Sequence, residues 1–190
     1  MTTVAIVYFS VGGHNHEMAE ALAKGVSSVE TVTAKTFRIT GEQMEEGRWQ
    51  DEAALNEISQ ADAIVLGSPT YMGGVAAQLK AFIDRAGEIW MSQGWQNKLA
   101  GGFTHSGSPS GDKQGTLLYL ATHAAQHGMI WIGQGDLPDA ENGINPLGSF
   151  LGAMGSGHEE KVSEADLITA ERYGSRIARA TLAWHPDKMT

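Results

Sequence analysis

The chain opens on Val4-Ala5-Ile6-Val7-Tyr8-Phe9-Ser10-Val11-Gly12-Gly13-His14-Asn15. An apolar, β-branched run stops at a serine, two glycines follow, and Met18, Leu22 and Val26 then share one helical face. That order is a buried strand, a tight turn and a helix N-terminus. Backbone N–H groups of such a turn point at one spot, and the helix dipole makes that spot favour an anion. Ser10 and Asn15 can add side-chain hydrogen bonds. No Lys or Arg stands between them, so the loop suits a phosphate held by neutral donors. The plainer alternative is an ordinary strand–helix turn in which glycine relieves backbone strain. Neither G-x-x-x-x-G-K-[ST] nor G-x-G-x-x-G is present. The second strand ends Phe37-Arg38-Ile39-Thr40, with no acidic residue for a ribose 2′-OH, which argues against a dinucleotide site of the Rossmann kind.

Short apolar runs alternate with amphipathic stretches along the rest of the chain. The pattern predicts strands near 3–9, 31–38, 62–68, 98–105 and 129–133, and helices near 14–27, 51–60, 75–86, 114–127 and 163–184. The runs 63–67 and 129–132 are continuously apolar, as strands covered on both faces are. Five βα units of this kind give an α/β fold, an open parallel sheet with helices on both sides. In the last helix Leu167, Ala170, Gly174, Ile177, Thr181 and Trp184 recur at three/four spacing, with Ser163 and Asp166 as a capping box. Gly174 costs about 1 kcal/mol there relative to Ala, which points to close packing. Thr40–Gln50 and Gly133–Val162 read as long loops. The second carries Leu147, Phe150, Leu151 and Met154, so it is expected to order against a neighbour or a ligand.

Residues 1–190 fit one domain. The net charge of −9 argues against nucleic acid or an anionic membrane as partner. Without cysteine there is no disulfide, iron–sulfur cluster or thiol redox chemistry, so electron transfer would need a bound organic cofactor. No apolar run spans a membrane and no signal peptide is visible, so a cytoplasmic protein is expected.

In an open parallel sheet, ligands bind beyond the carboxyl ends of the strands. Three loops lie at such ends: Ser10, Val11, Gly12, Gly13, His14 and Asn15; then Gly67, Ser68, Pro69, Thr70, Tyr71, Met72, Gly73 and Gly74; then His105, Ser106, Gly107, Ser108, Pro109, Ser110, Gly111 and Asp112. None has a cationic side chain before Lys113. All are rich in groups that hydrogen-bond at close approach.

These loops, with Ala77-Gln78-Leu79-Lys80-Ala81-Phe82-Ile83-Asp84 and Ala124-Ala125-Gln126-His127-Gly128-Met129, resemble flavodoxin-fold FMN proteins. The resemblance is strongest to NAD(P)H:quinone oxidoreductases of the tryptophan-repressor-binding-protein type, and it covers nearly the whole chain. It implies a three-layer fold with a five-stranded parallel sheet of order 2-1-3-4-5 and FMN at the switch point, which is the general flavodoxin case. It also implies that Ser10, Gly13, His14 and Asn15 take the FMN phosphate, that Thr70, Tyr71 and Met72 line the ring and ribityl chain, and that Ser106, Gly107, Ser108 and Ser110 hold the other ring edge. His127 is implied at the active-site rim and Trp90 in the substrate pocket, both as catalytic residues. NAD(P)H as co-substrate, a quinone or other aromatic acceptor, and a homo-oligomer, dimer or tetramer, follow from the same resemblance. The sequence departs from the family pattern at Gly12, at Tyr71-Met72, at Pro109 and Asp112, and at Asn145-Pro146-Leu147-Gly148.

Other readings are weaker. His123 and His127 stand at i, i+4, but no third ligand completes a metal site. For His127 a helix-end histidine favoured by the dipole is the alternative. Trp90 and Trp95 fit core packing or an aromatic wall equally. A phosphorylated receiver domain would need Asp where Ser68 stands. A one-electron flavodoxin carrier shares fold and acidity with an enzyme. Such carriers wedge the flavin between aromatics of the second and third loops, and here only Tyr71 is available, which leaves one flavin face open and favours an enzyme.

Overall fold

The computed structural model describes residues 1–139 and 141–184, so Ala140 and residues 185–190 of the expected domain lie outside the described residues. The chain runs β1 (Thr2–Phe9), α1 (His14–Ser27), β2 (Val32–Ile39), a small hairpin of β3 (Met44–Glu45) and β4 (Arg48–Trp49), α2 (Glu52–Gln60), β5 (Ala63–Tyr71) and β6 (Gly74–Val75). It continues through α3 (Ala77–Arg85), α4 (Gly87–Met91), β7 (Leu99–Ser106), α5 (Lys113–Gln126), β8 (Ile130–Trp131), β9 (Ala153–Ser156) and α6 (Glu164–Trp184). The long strands lie in the order β2-β1-β5-β7-β8 and pair in parallel throughout. This is the flavodoxin-like arrangement expected.

Strand alternation builds the two cores. Val4, Ile6 and Tyr8 face Met18, Leu22 and Val26 of α1 and Tyr173 and Ile177 of α6. Ala5, Val7 and Phe9 face the opposite layer, where Leu55 and Ile58 of α2, Leu79 and Phe82 of α3 and Leu117 and Leu120 of α5 meet. Asp51 caps α2 by accepting a hydrogen bond from the Ala54 N–H at 3.0 Å. The expected loop 40–50 is instead a 3₁₀ turn and the β3–β4 hairpin, closed by Trp49, which is buried edge-on against Phe82 at 5.1 Å. At the N-terminus of α6 half of the expected box forms: the Asp166 N–H donates to Ser163 Oγ at 3.1 Å, while the Asp166 carboxylate turns to the Ser156 N–H.

The expected long loop 133–162 is corrected. The fifth strand is split. β8 pairs Ile130 and Trp131 with Leu99 and Ala100, the chain leaves the sheet, and β9 returns to pair Ala153–Ser156 with Phe103–Ser106. Between the two pieces, Gly101 and Gly102 of β7 pair with β5 on one side but have no strand partner on the other. Tyr173 of α6 occupies the gap: its hydroxyl accepts from the Gly102 N–H at 3.2 Å and donates to the Ile132 carbonyl at 2.5 Å. A side chain at Gly101 would overlap that hydroxyl, and one at Gly152 would overlap the Gly102 carbonyl.

The packing expected at Gly174 is present. A Cβ there would overlap the Leu22 carbonyl, and one on Gly25 would overlap the Glu171 carbonyl, so α1 and α6 touch backbone to backbone. Gly174→Ala is therefore expected to destabilise the fold by about 1–3 kcal/mol, despite the better helix propensity of Ala. A denaturation midpoint equal to or above wild type would refute this contact.

At the amino ends of the strands, Trp95 is fully buried, with His127 4.6 Å away by ring centroids and His123 edge-on to both. Burial, with the neighbouring His127, pulls the His123 pKa down to about 3, and burial pulls His105 down to about 4. Both are neutral when folded, whereas the unfolded chain takes up protons near 6.5. The unfolded state thus binds more protons below that pH, and stability falls as the pH drops from about 6.5 toward 4. His123→Phe is expected to flatten the fall of melting temperature between pH 7 and 4.5; parallel wild-type and variant curves would show that His123 does not contribute.

Candidate functional site

The carboxyl ends of β1, β5 and β7 deliver the three expected loops to one cleft of about 330 Å³. At the first, Ser10 is buried and the Arg38 guanidinium donates to its carbonyl at 2.9 Å. Gly13 has φ of 93°, a conformation suited to glycine, and starts α1 with no side-chain cap. The first-turn N–H groups of a helix have no intrahelical partners. His14 and Asn15, at that open end, line the cleft. His14 donates from Nε2 to the Glu159 carbonyl at 2.8 Å, and its ring stacks on His105 at 4.4 Å with planes 6° apart. Asn15 is buried, and its Oδ1 has no partner among the described residues.

The second loop is a hairpin. Thr70 and Tyr71 pair with Val75 and Gly74, and both turn residues, Met72 (φ 49°) and Gly73 (φ 78°), have positive φ. Pro69, Thr70 and Tyr71 line the cleft. The Thr70 hydroxyl points inward, hydrogen-bonded at 2.8 Å to the Thr104 and Thr116 hydroxyls, so its part is to tie the loop to β7 and α5. Tyr71 is half exposed and Met72 wholly exposed.

The third loop wraps a buried lysine. Lys113 Nζ donates to Ser106 Oγ and to the carbonyls of Ser108 and Pro109. Ser106 and Gly107 line the cleft. Gly111 (φ 54°) backs the loop, and a Cβ there would overlap Ser106. The fourth wall comes from β9, whose exit brings Gly157 and His158 to the cleft. His158 lies so close over Gly107 that any side chain at 107 would overlap its ring. Burial, with His14, Lys113 and His158 near, keeps the His105 imidazole neutral at pH 7. Among the described residues no carboxylate lines the cleft, although the chain carries a net charge of −9. Nor do these residues hold a group of three or more His, Cys, Asp or Glu suited to a metal ion. The cleft therefore presents neutral donors, imidazoles and a helix N-terminus, a setting for an anion attached to a polar, planar ligand.

Residues 2–141 match the NADPH-dependent FMN reductase family. The chain belongs to that family. Among its curated relatives, flavodoxin FldP of Pseudomonas aeruginosa is 37% identical, over 94% of this chain and 96% of the relative. An NAD(P)H dehydrogenase (quinone) of Trichlorobacter lovleyi is 32% identical over 95% and 98%. Among solved structures, a WrbA-like flavodoxin from Agrobacterium tumefaciens superimposes with a TM-score of 0.76 at 36% identity, covering 96% of this chain and 99% of that one. The resemblance seen in the loops is thus the family's, and the flavodoxin-like sheet is its fold.

Within this FMN reductase family member, ten expected residues line the cleft: Ser10, Val11, Gly12, His14, Asn15, Pro69, Thr70, Tyr71, Ser106 and Gly107. Gly13, Met72, Gly73, Gly74, Ser108 and Gly111 shape the loops without lining it. Ser110 faces a separate cleft with Leu147, Phe150 and Met154. Within one chain His127 and Trp90 do not line this cleft. α5 starts beside the cleft and its 14 residues carry the chain about 21 Å toward the sheet's other edge. There His127 is buried against Trp95, beside segments that precede β5 and β7: the Asn97 N–H bonds the Gly128 carbonyl, and Trp95 Nε1 donates to Ser59 Oγ. Trp90 follows α3 to the same edge and is partly exposed. Of the two tryptophans, Trp95 is core. His105, Gly157, His158, Arg38 and Lys113 are the site residues that sequence reasoning did not assign. His105 stood in one of the three strand-end loops, and Gly157 and His158 in the long segment 133–162.

Proposed function

We propose that this chain is an FMN-dependent NAD(P)H:quinone oxidoreductase that reduces quinones by two electrons. The observation that carries the reading is the uncapped start of α1, opening on a cleft free of carboxylates, beside a buried asparagine amide with an unused atom. Those features fit FMN. The backbone donors at Gly12–Asn15 suit its phosphate, Asn15 a ribityl hydroxyl, and the Ser106–Gly107 backbone the polar ring edge. FMN held there would supply two-electron chemistry, passing a hydride equivalent from NAD(P)H, with one proton from solvent, to a quinone to give NAD(P)⁺ and quinol. In this reading the chain's residues hold the ring and leave one face open, so that the two substrates alternate over it. Tyr71 is the large aromatic side chain at the rim, and the loop 106–111 supplies none. Stacking provides proximity and orientation without a strong base.

The relatives named as quinone dehydrogenases support the activity. The relative named flavodoxin supports a second reading, a one-electron carrier. A homo-oligomer, dimer or tetramer, belongs to the first reading, since Trp90, Met91, Leu137 and Phe150 are all exposed. Only in such an assembly does Trp90 of one copy have a route to the cleft of another. A cytoplasmic location is part of the same proposal. No helix among the described residues is long and apolar enough to cross a membrane.

Steady-state assay of the FMN-loaded protein with NADH or NADPH and a benzoquinone separates the readings. Quinone-dependent oxidation is expected, with parallel lines in double-reciprocal plots and no accumulation of one-electron-reduced flavin. No oxidation of either nucleotide, together with a persistent one-electron-reduced form, would make the protein a carrier.

A further inference from the structure

Lys113 is fully buried at the start of α5, and the chemistry above does not use it. Its Nζ lies 3.0 Å from Ser106 Oγ, 2.8 Å from the Ser108 carbonyl and 2.9 Å from the Pro109 carbonyl. The Ser106 hydroxyl gives its own proton to the Ser108 carbonyl at 3.0 Å, so all three neighbours are acceptors. Three acceptors require three protons, which an ammonium has and a neutral amine lacks. The hydrogen bonds therefore hold Lys113 as a cation, although burial pulls its pKa down.

Among the described residues this cation has no ion-pair partner. Asp166 is the acidic group whose field reaches it, and that carboxylate is engaged by the Ser156 N–H at 3.1 Å. His105, which also feels it, is neutral. A buried charge resting on neutral oxygens is costly unless a negative charge meets it. Ser106 borders the cleft, so the ammonium stands one hydroxyl behind the wall assigned to the ring edge.

We infer that Lys113 tunes the reduction potential of the bound FMN, its ammonium stabilising the negative charge the ring gains on two-electron reduction. Two electrons and one proton leave the reduced ring with one added negative charge, and a cation held behind Ser106 favours that form over the neutral oxidised one. Lys113 touches neither ring nor substrate. It is a positioning residue, acting through its field and the 106–109 loop. The inference rests on the FMN reading and deepens it, because stabilising the fully reduced ring suits hydride chemistry better than single-electron traffic.

The test is the midpoint potential of bound FMN, read by dye-equilibrated reduction in wild type, Lys113→Met and Lys113→Arg, with the Kd of oxidised FMN measured beside it. Removing the charge in Lys113→Met should weaken the reduced form relative to the oxidised one by about 10- to 100-fold. For a two-electron couple that lowers the potential by about 30–60 mV. Lys113→Arg should restore most of the shift. If Lys113→Met weakens both forms equally and leaves the potential unmoved, the lysine only clamps the loop and the inference fails. Should the variants not fold, wild type alone decides. Near pH 6 its bound FMN should take up fewer protons per two electrons than free FMN, read from the slope of potential against pH, and an equal or steeper slope overturns the inference. Wild type that binds no FMN would instead sink the cofactor reading, and this inference with it.

Discussion

The hydroxyl of Tyr173 joins three pieces of chain. It accepts from Gly102 in the middle of the sheet, donates to Ile132 where the edge strand breaks off, and is carried by α6. A break in an edge strand leaves backbone groups unpaired in a buried setting, at a cost of about 1–3 kcal/mol each. The phenol removes that cost at the gap, and the glycines at 101 and 152 make room for it and for the returning chain. Because the break is closed, the chain can leave after β8 and come back as β9 on the same neighbour. The return of β9 is what brings Gly157 and His158 to the cleft. The cleft's fourth wall therefore depends on a contact deep in the opposite layer, and α6 reaches that contact only because Gly174 and Gly25 let it lie against α1.

The chain is strongly acidic, yet the cleft is lined by no carboxylate, lysine or arginine among the described residues. The nearest cations act from behind: Arg38 on the Ser10 carbonyl and Lys113 on the third loop. Neutral donors at a helix start can hold a phosphate while the ring edge keeps its own hydrogen-bonding pattern. Such an arrangement suits a cofactor that stays while substrates come and go.

Much of this was legible in the sequence. The β1–turn–α1 unit announces itself through a β-branched run, paired glycines and a helical stripe, and all three are local signals. Gly174 was legible because glycine inside a long helix is unfavourable unless something lies against it, and the Leu22 carbonyl does. β9 was not legible: Ala153-Met154-Gly155-Ser156 has no β-branched residue, and its partner strand β7 lies far away in sequence. Arg38 and His158 reach the site through tertiary contacts that spacing does not encode, and Lys113 folds back onto its own loop, which the helical pattern does not show. His127 and Trp90 lie away from the cleft of their own chain for a simple reason. His127 immediately precedes β8, and Trp90 and Trp95 precede β7, whereas ligands of a parallel sheet gather after the strands. Strand direction alone puts them at the far edge.

The central claim is that the start of α1 and its glycine turn read a phosphate on a flavin. Fluorescence titration of the apoprotein with FMN and with riboflavin, in wild type and Gly13→Asp, tests it most directly. A carboxylate at 13, on a backbone of φ 93°, adds a negative charge to the turn that this account gives to the phosphate. The account predicts one FMN per chain in wild type, loss of FMN affinity by about 100-fold or more in the variant, and a much smaller change for riboflavin. Equal weakening of both ligands, or a wild-type chain that quenches neither, would contradict it.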